Sequence, residues 1–151
     1  MDEREHSVKM VDVSGKEKVQ RYAEAIGNIV LQPETINRIR NGTTKKGNVL
    51  AVSETAGILA AKRTSEIIPL CHQVPLTSVE LGFEFKETGI SVTCGVSAKY
   101  VTGVEMEALV GVTTALLSIW DMVKYLEKDS EGQYPNARLE NIKVTVKRKD
   151  E

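Results

Sequence analysis

Apolar positions along this chain change period several times, and each change marks an element. Between residues 19 and 31, Val19, Ala23, Ala25, Gly27, Ile29 and Leu31 share one parity with Arg21. That period of two is what a half-buried strand requires. Pro33-Glu34 opens a short helix carrying Ile36 and Ile39, and Asn41-Gly42 ends it, since proline suits a first helical turn and glycine the position just past the last. After a polar loop at 43–47, residues 48 to about 66 predict an alanine-rich helix in which Gly57 lets another element approach closely. Pro69-Leu70-Cys71-His72-Gln73-Val74-Pro75 is a proline-bounded loop. Two alternating runs follow, 78–86 with Val79, Leu81, Phe83 and Phe85, and 90–100 with Ile90, Val92, Cys94 and Val96. Glu87-Thr88-Gly89 joins them as a hairpin loop. Residues 103–128 read as one long helix, 129–136 as a polar loop and 142–147 as a closing strand.

This order predicts an α+β fold, a ferredoxin-like βαββαβ sandwich with an antiparallel sheet and an additional helix. Residues 10–151 form a single catalytic domain in this reading, preceded by a flexible polar tail at 1–9. The plan hosts many unrelated activities, so function must come from side chains.

Composition narrows the classes. The net charge of -1 provides no global positive field for nucleic acid or an anionic membrane, so any anion site must be local. Cys71 and Cys94 are too few for a disulfide framework, and a reducing cytoplasm is the simpler expectation. The first nine residues lack the apolar stretch of a secretion signal. The apolar run at 108–122 is shorter than a membrane span and contains Asp121.

Candidate chemistry sits in three segments. From 108 to 123 the long helix is apolar on nearly every side, which predicts packing all round, with Asp121 as its only charge. Such a setting raises a carboxyl pKa, and Lys124, three residues on and on the same face, pushes it down. The pair suits proton transfer, or else is a structural ion pair orienting the helix end. Glu107 is close to Asp121 in helical angle but about 21 Å away along the axis, so a shared site calls for helix ends from different subunits. Thr44-Lys45-Lys46-Gly47-Asn48 precedes a helix N-terminus, where dipole and backbone N–H groups favour phosphate. Solvated loop lysines are the plain alternative. Lys62 and Arg63 fall at a helix C-terminus, where cations also serve the dipole. Cys71 and His72 are neighbours whose side chains diverge in extended chain, which argues against a nucleophilic dyad. His6, Cys71, His72 and Cys94 lack metal-ligand spacing, so no metal and no cofactor are expected.

Met10-Val11-Asp12-Val13-Ser14, Lys46-Gly47, Ala60-Ala61-Lys62-Arg63-Thr64, Ile68-Pro69-Leu70-Cys71-His72, Thr102-Gly103-Val104-Glu105-Met106-Glu107-Ala108-Leu109 and Asp121-Met122-Val123-Lys124 occur in this order. Together they resemble the cyclic pyranopterin monophosphate synthase family of molybdenum-cofactor biosynthesis. The resemblance implies a lyase acting on a cyclised dihydroguanosine triphosphate, with release of pyrophosphate. It implies dimers assembled into a homohexamer, a trimer of dimers, with active sites between subunits. Asp121, Lys46 and Lys124 then match catalytic positions. Leu70, Cys71, His72, Glu105, Met106, Glu107, Arg21, Lys62 and Arg63 match substrate-binding ones. Many bacterial members also end in a Lys-Ser-Gly-Gly-Lys-Ser-Gly-like segment that brings another cation. The tail here has no glycines, and Lys143 and Lys147 are the candidates to replace it.

Two other classes compete. A ferredoxin-like RNA-binding module would stack bases on strand aromatics, yet the run at 90–100 offers only Tyr100. A small-molecule-sensing domain would explain self-association but gives no reason for Lys46, Asp121 and Lys124 together.

Overall fold

The computed structural model describes residues 7–150. Four strands, β1 (Val19–Val30), β2 (Leu76–Lys86), β3 (Gly89–Tyr100) and β4 (Arg138–Asp150), form one antiparallel sheet in the order β2-β3-β1-β4. Four helices, α1 (Pro33–Asn41), α2 (Val49–Lys62), α3 (Thr64–Ile67) and α4 (Glu105–Glu127), complete the described residues. This is the ferredoxin-like α+β arrangement with extra helices. Residues 1–6, including His6 and most of the expected tail, lie outside the described residues.

The buried parity of β1 is the one its alternation predicts. Ala23, Ala25 and Ile29 are fully buried, opposite the equally buried Val96, Cys94 and Ile90 of β3. Onto that face packs α4, with Ala108, Val112, Ala115, Leu116 and Ile119 in the core. Beside it lies α2, pressed close at a glycine pair. A Cβ on Gly57 would sit 3.0 Å from the Gly111 carbonyl oxygen, and one on Gly111 would sit 2.7 Å from the Cys94 sulfur. Burial pushes the Cys94 thiol up to about 12, so it serves as a small apolar side chain.

Three local expectations change. The alanine-rich helix stops at Arg63 instead of running on to 66, because Arg63 leaves helical angles (φ -110, ψ 18). The buried Thr64 hydroxyl bonds back to the Ala61 carbonyl at 2.9 Å before the short α3 begins. Secondly, β4 is more than twice as long as its apolar run suggested, because backbone pairing with β1 carries its charged ends. Thirdly, α4 is not packed all round within one chain: Leu117 remains 53% exposed. By length and composition α4 could also cross a membrane, yet over half of its most apolar window is buried as the core helix.

Candidate active site

The C-terminal end of α4 gathers three of the expected residues. Lys124 Nζ stands 3.2 Å from Asp121 Oδ1, and Lys46 Nζ stands 3.2 Å from Asp121 Oδ2. Lys46 also donates to the Asp121 backbone carbonyl at 3.3 Å. The first contact follows from the three-residue helical spacing. The second is built by the chain from α1 onward. Gly42 caps α1 in the left-handed conformation (φ 69), and Arg38 Nη2 donates to the Thr43 carbonyl at 2.7 Å. Thr44 Oγ1 donates to the Gly47 carbonyl at 2.7 Å, closing the turn that holds Lys45 and Lys46. Tyr125 of α4 accepts from the Lys45 backbone N–H at 2.8 Å, and the Lys45 ammonium lies over its ring. Gly47 is needed for its positive φ of 104; a side chain there would meet nothing within 4 Å. The first turn of α2 is partly occupied, since Asn48 Oδ1 accepts from the Ala51 N–H.

Asp121 corrects the expectation of a buried proton carrier. Its side chain is 59% exposed, because at this turn α4 emerges from the core. Hydrogen bonds from Lys124 and then Lys46, with the charges of both, hold its carboxyl below the usual carboxylate range, while desolvation contributes least. Beside the trio, Trp120 and Tyr134 meet with ring centroids 5.3 Å apart. They line, with Leu117, Leu139, Asp121 and Lys124, a cleft of about 390 Å³.

The N-terminal end of α4 gathers most of the other candidates. His72 Nε2 contacts the Val11 carbonyl. Together with Met10 to Ser14, Lys18, Tyr100 and Val101 it lines a cavity of about 520 Å³. Arg21 fixes the rim by donating to the carbonyls of Val101 (3.2 Å) and Tyr100 (3.4 Å). Glu107 is buried, and burial raises its carboxyl above the ordinary value; its backbone N–H counters this and Glu105 reinforces it. Burial and the neighbouring Glu107 raise the Cys71 thiol. Cys71 and His72 thus face different neighbours, as their divergence suggested. Leu70 and Met106 are exposed. Lys62 borders a separate cleft with Gln73 to Leu76, and Arg63 is the residue that ends α2.

Glu105 shows how the tail is used. Burial raises its carboxyl, but the Lys147 hydrogen bond, its own backbone N–H and the charges of Lys147 and Arg21 outweigh this, and the net shift is downward. Lys147 Nζ reaches Glu105 Oε1 at 2.6 Å. Gly103 makes room, since a Cβ there would lie 2.3 Å from that oxygen. The register sets Lys147 opposite the core-facing Ala23 and Lys143 opposite Ile26. Lys147 therefore shares the helix side of the sheet with Glu105. Tyr100, Tyr125 and Lys18 are neighbours that sequence reasoning did not single out. Tyr100 stood out there only as a lone strand aromatic.

Two groups result, one at each end of α4. Fourteen residues separate Glu107 from Asp121, about 21 Å of helix. Each group offers fixed cations and carboxyl groups, and neither alone holds all the expected site residues.

Comparison with known proteins adds the family. The profile described as the MoaC family matches residues 10–150. A protein of Thermococcus onnurineus named "Probable cyclic pyranopterin monophosphate synthase" is 60% identical over 147 residues, spanning 97% of this chain and 94% of the relative. A Pyrococcus horikoshii protein of the same name is 58% identical over 143 residues (95% and 90%). One from Saccharolobus solfataricus is 53% identical over 142 residues (94% and 95%).

Proposed function

The chain belongs to the MoaC family, and from that premise we propose that Asp121, Lys46 and Lys124 form half of a catalytic site that His72, Glu107 and Arg21 of a neighbouring protomer complete. The activity is cyclic pyranopterin monophosphate synthesis, a phosphorus–oxygen lyase reaction of molybdenum-cofactor biosynthesis. It converts (8S)-3',8-cyclo-7,8-dihydroguanosine 5'-triphosphate to cyclic pyranopterin monophosphate and diphosphate. The observation that carries the site is the convergence of Lys46 and Lys124 on opposite oxygens of Asp121, each at 3.2 Å.

The arrangement suits a polyanion whose phosphate is rearranged. Fixed ammonium groups stabilise negative charge where it develops, here on the cyclising phosphate and the departing diphosphate. In the free site both lysines are engaged by Asp121 and hold its carboxyl low. When phosphate oxygens draw the ammonium groups away, that hold weakens and the Asp121 pKa rises. The carboxylate then becomes a competent proton acceptor near the bond being broken. At the other end, the buried Glu107 carboxyl meets the amino-pyrimidine edge of the substrate, while Leu70, Cys71 and Met106 frame its ring. His72 carries protons during ring opening and closure. Arg21, Lys62 and Arg63 supply further positive charge toward the triphosphate, and Lys147 supplies the cation that many bacterial members bring in a glycine-rich segment.

Self-association brings the two halves together, in a homohexamer built as a trimer of dimers. Exposed Leu117 on α4, with Val52 and Leu59 on α2, is the apolar surface that assembly would cover. The free thiols of Cys71 and Cys94 fit a reducing cytoplasm. Mixing inactive Glu107→Ala and Asp121→Ala proteins under subunit exchange tests the composite site. Restored pyrophosphate release is the expected result, and no restoration despite proven exchange would sink it.

A further inference from the structure

Glu127, in the last turn of α4, is an acid that the proposed chemistry does not use. It is 2% exposed. One oxygen, Oε2, accepts from the Gln32 backbone N–H at 3.0 Å and from the Thr35 hydroxyl at 2.5 Å. Its other oxygen, Oε1, is buried without a hydrogen-bond partner among the described residues. Keeping such a group is costly unless the bonds it does make matter. Thr35 is itself 1% exposed. The two donors belong to the start of α1, where Gln32 is the N-cap residue and offers no side-chain cap of its own. Glu127 therefore supplies from α4 the acidic cap that α1 lacks locally.

The same two turns of α4 hold the other end of this segment. Tyr125 accepts from Lys45 N–H, and Asp121 binds Lys46. Residues 32–46 are thus clamped at entrance and exit by one stretch of helix, residues 121–127. Between the clamps, α1 is a short rod with Ile36 and Ile39 buried, and its capped end passes directly into the turn that carries Lys46.

We infer that Glu127 is a positioning residue for Lys46: by pinning the N-terminus of α1 to α4 it sets where α1 ends, and so where the Lys46 ammonium meets Asp121. The inference rests on the reading of Lys46 as part of the site.

The test follows two quantities in the full-length protein. One is the titration of the Asp121 carboxyl by carbon-detected NMR, and the other is the kinetics of pyrophosphate release. The proteins are wild type, Glu127→Gln, Glu127→Leu, Thr35→Val and Lys46→Ala. Glutamine keeps an acceptor for both donors, and should leave both quantities near wild type. Leucine should lift the Asp121 pKa part of the way to its value in Lys46→Ala. It should also lower kcat about ten- to hundred-fold, the scale of a misplacement of about 1 Å, with KM moving less. Added to Lys46→Ala, Glu127→Leu should cost nothing further, because residues acting through one another are not additive. Thr35→Val gives the same direction more weakly, and carries the test if the leucine variant does not fold. An unshifted Asp121 in a folded variant, or additive losses, overturns the inference. Failure of the Lys46 reading looks different: Lys46→Ala keeps wild-type activity while Asp121 still responds to Glu127→Leu.

Discussion

At one end of α4 a carboxyl group stands in solvent between two ammonium groups, and at the other a carboxyl group is buried against a thiol and a second acid. Asp121 is held low by Lys124 and Lys46, while Glu107 is raised by burial and by Glu105. The two acids lie on one helix, so their different character is a matter of surroundings. Partners outweigh exposure at the first, and desolvation outweighs everything at the second. A helix that presents one carboxyl held low and another pushed up offers two acids of different proton affinity, provided that a neighbouring protomer brings the two ends together.

The largest expected effect breaks the C-terminal end. Asp121→Asn keeps the shape and removes the charge. It should lower kcat/KM about 100- to 10,000-fold, the range typical of a lost acid–base group. Stability should barely change, because an exposed ion pair contributes little. Retention of kcat/KM within a few-fold of wild type would remove Asp121 from the chemistry. A mutation in the middle of α4 serves as the control. Gly111→Ala drives a methyl into the Cys94 sulfur (2.7 Å) and against the Gly57 carbonyl (3.3 Å). It should cost about 1–3 kcal/mol of stability, read as a lower urea midpoint, and should leave the Asp121 titration in place. A shifted Asp121 would mean that the ends are not independent of the packing between them.

How much of this was legible before any coordinates depended on where a residue's partners come from. The period of two in β1 could be read because one face of that strand is fully buried, so Ala23, Ala25 and Ile29 had to alternate. Beyond 142–147 the rest of β4 could not be read, because an exposed edge strand has no such face, and Arg148 and Lys149 look like a charged tail until they are paired with Tyr22 and Arg21. Lys124 beside Asp121 follows from helical spacing alone. Lys46 does not: it arrives from 75 residues away through α1 and a turn; its loop reads as a candidate phosphate site from the helix start that follows it, but only the family resemblance grouped it with Asp121 and Lys124. The exposure of Asp121 was hidden for a related reason. Apolar residues on every side of α4 imply complete packing, yet they do not say which of them pack within one chain and which face a second.

A smaller effect sharpens the N-terminal end. Glu105 stays low only because Lys147 and the other favourable interactions overcome its burial. Lys147→Ala should therefore raise the Glu105 carboxyl toward or past its ordinary value of 4.5, as NMR titration would show. Losing one charge-assisted hydrogen bond should reduce kcat/KM by about ten-fold. A Glu105 that stays low in Lys147→Ala would assign its state to Arg21 and the backbone instead.

The smallest effect concerns stability and follows from the sign of the Glu107 shift. A carboxyl whose folded pKa lies above its unfolded value near 4.5 binds more protons in the folded state through that window, so stability falls as pH rises across it. Above the folded pKa the full penalty of a buried charge is present. Glu107→Gln removes the titration while keeping most of the volume, so the variant should be the more stable protein at pH 7 and the two should converge below pH 4. For a chain of this length, about 1 kcal/mol corresponds to a Tm difference of about 2–4 °C. The difference between wild type and Asp121→Asn should run the opposite way: the folded pKa of Asp121 is depressed, so any stability from the ion pairs is present above 3.8 and lost as pH falls through the folded value. Thermal melts of both variants from pH 3 to 8 separate the two ends. If Glu107→Gln melts below wild type at pH 7, the buried acid is being stabilised as a carboxylate by a partner, and the contrast between the two ends of α4 disappears.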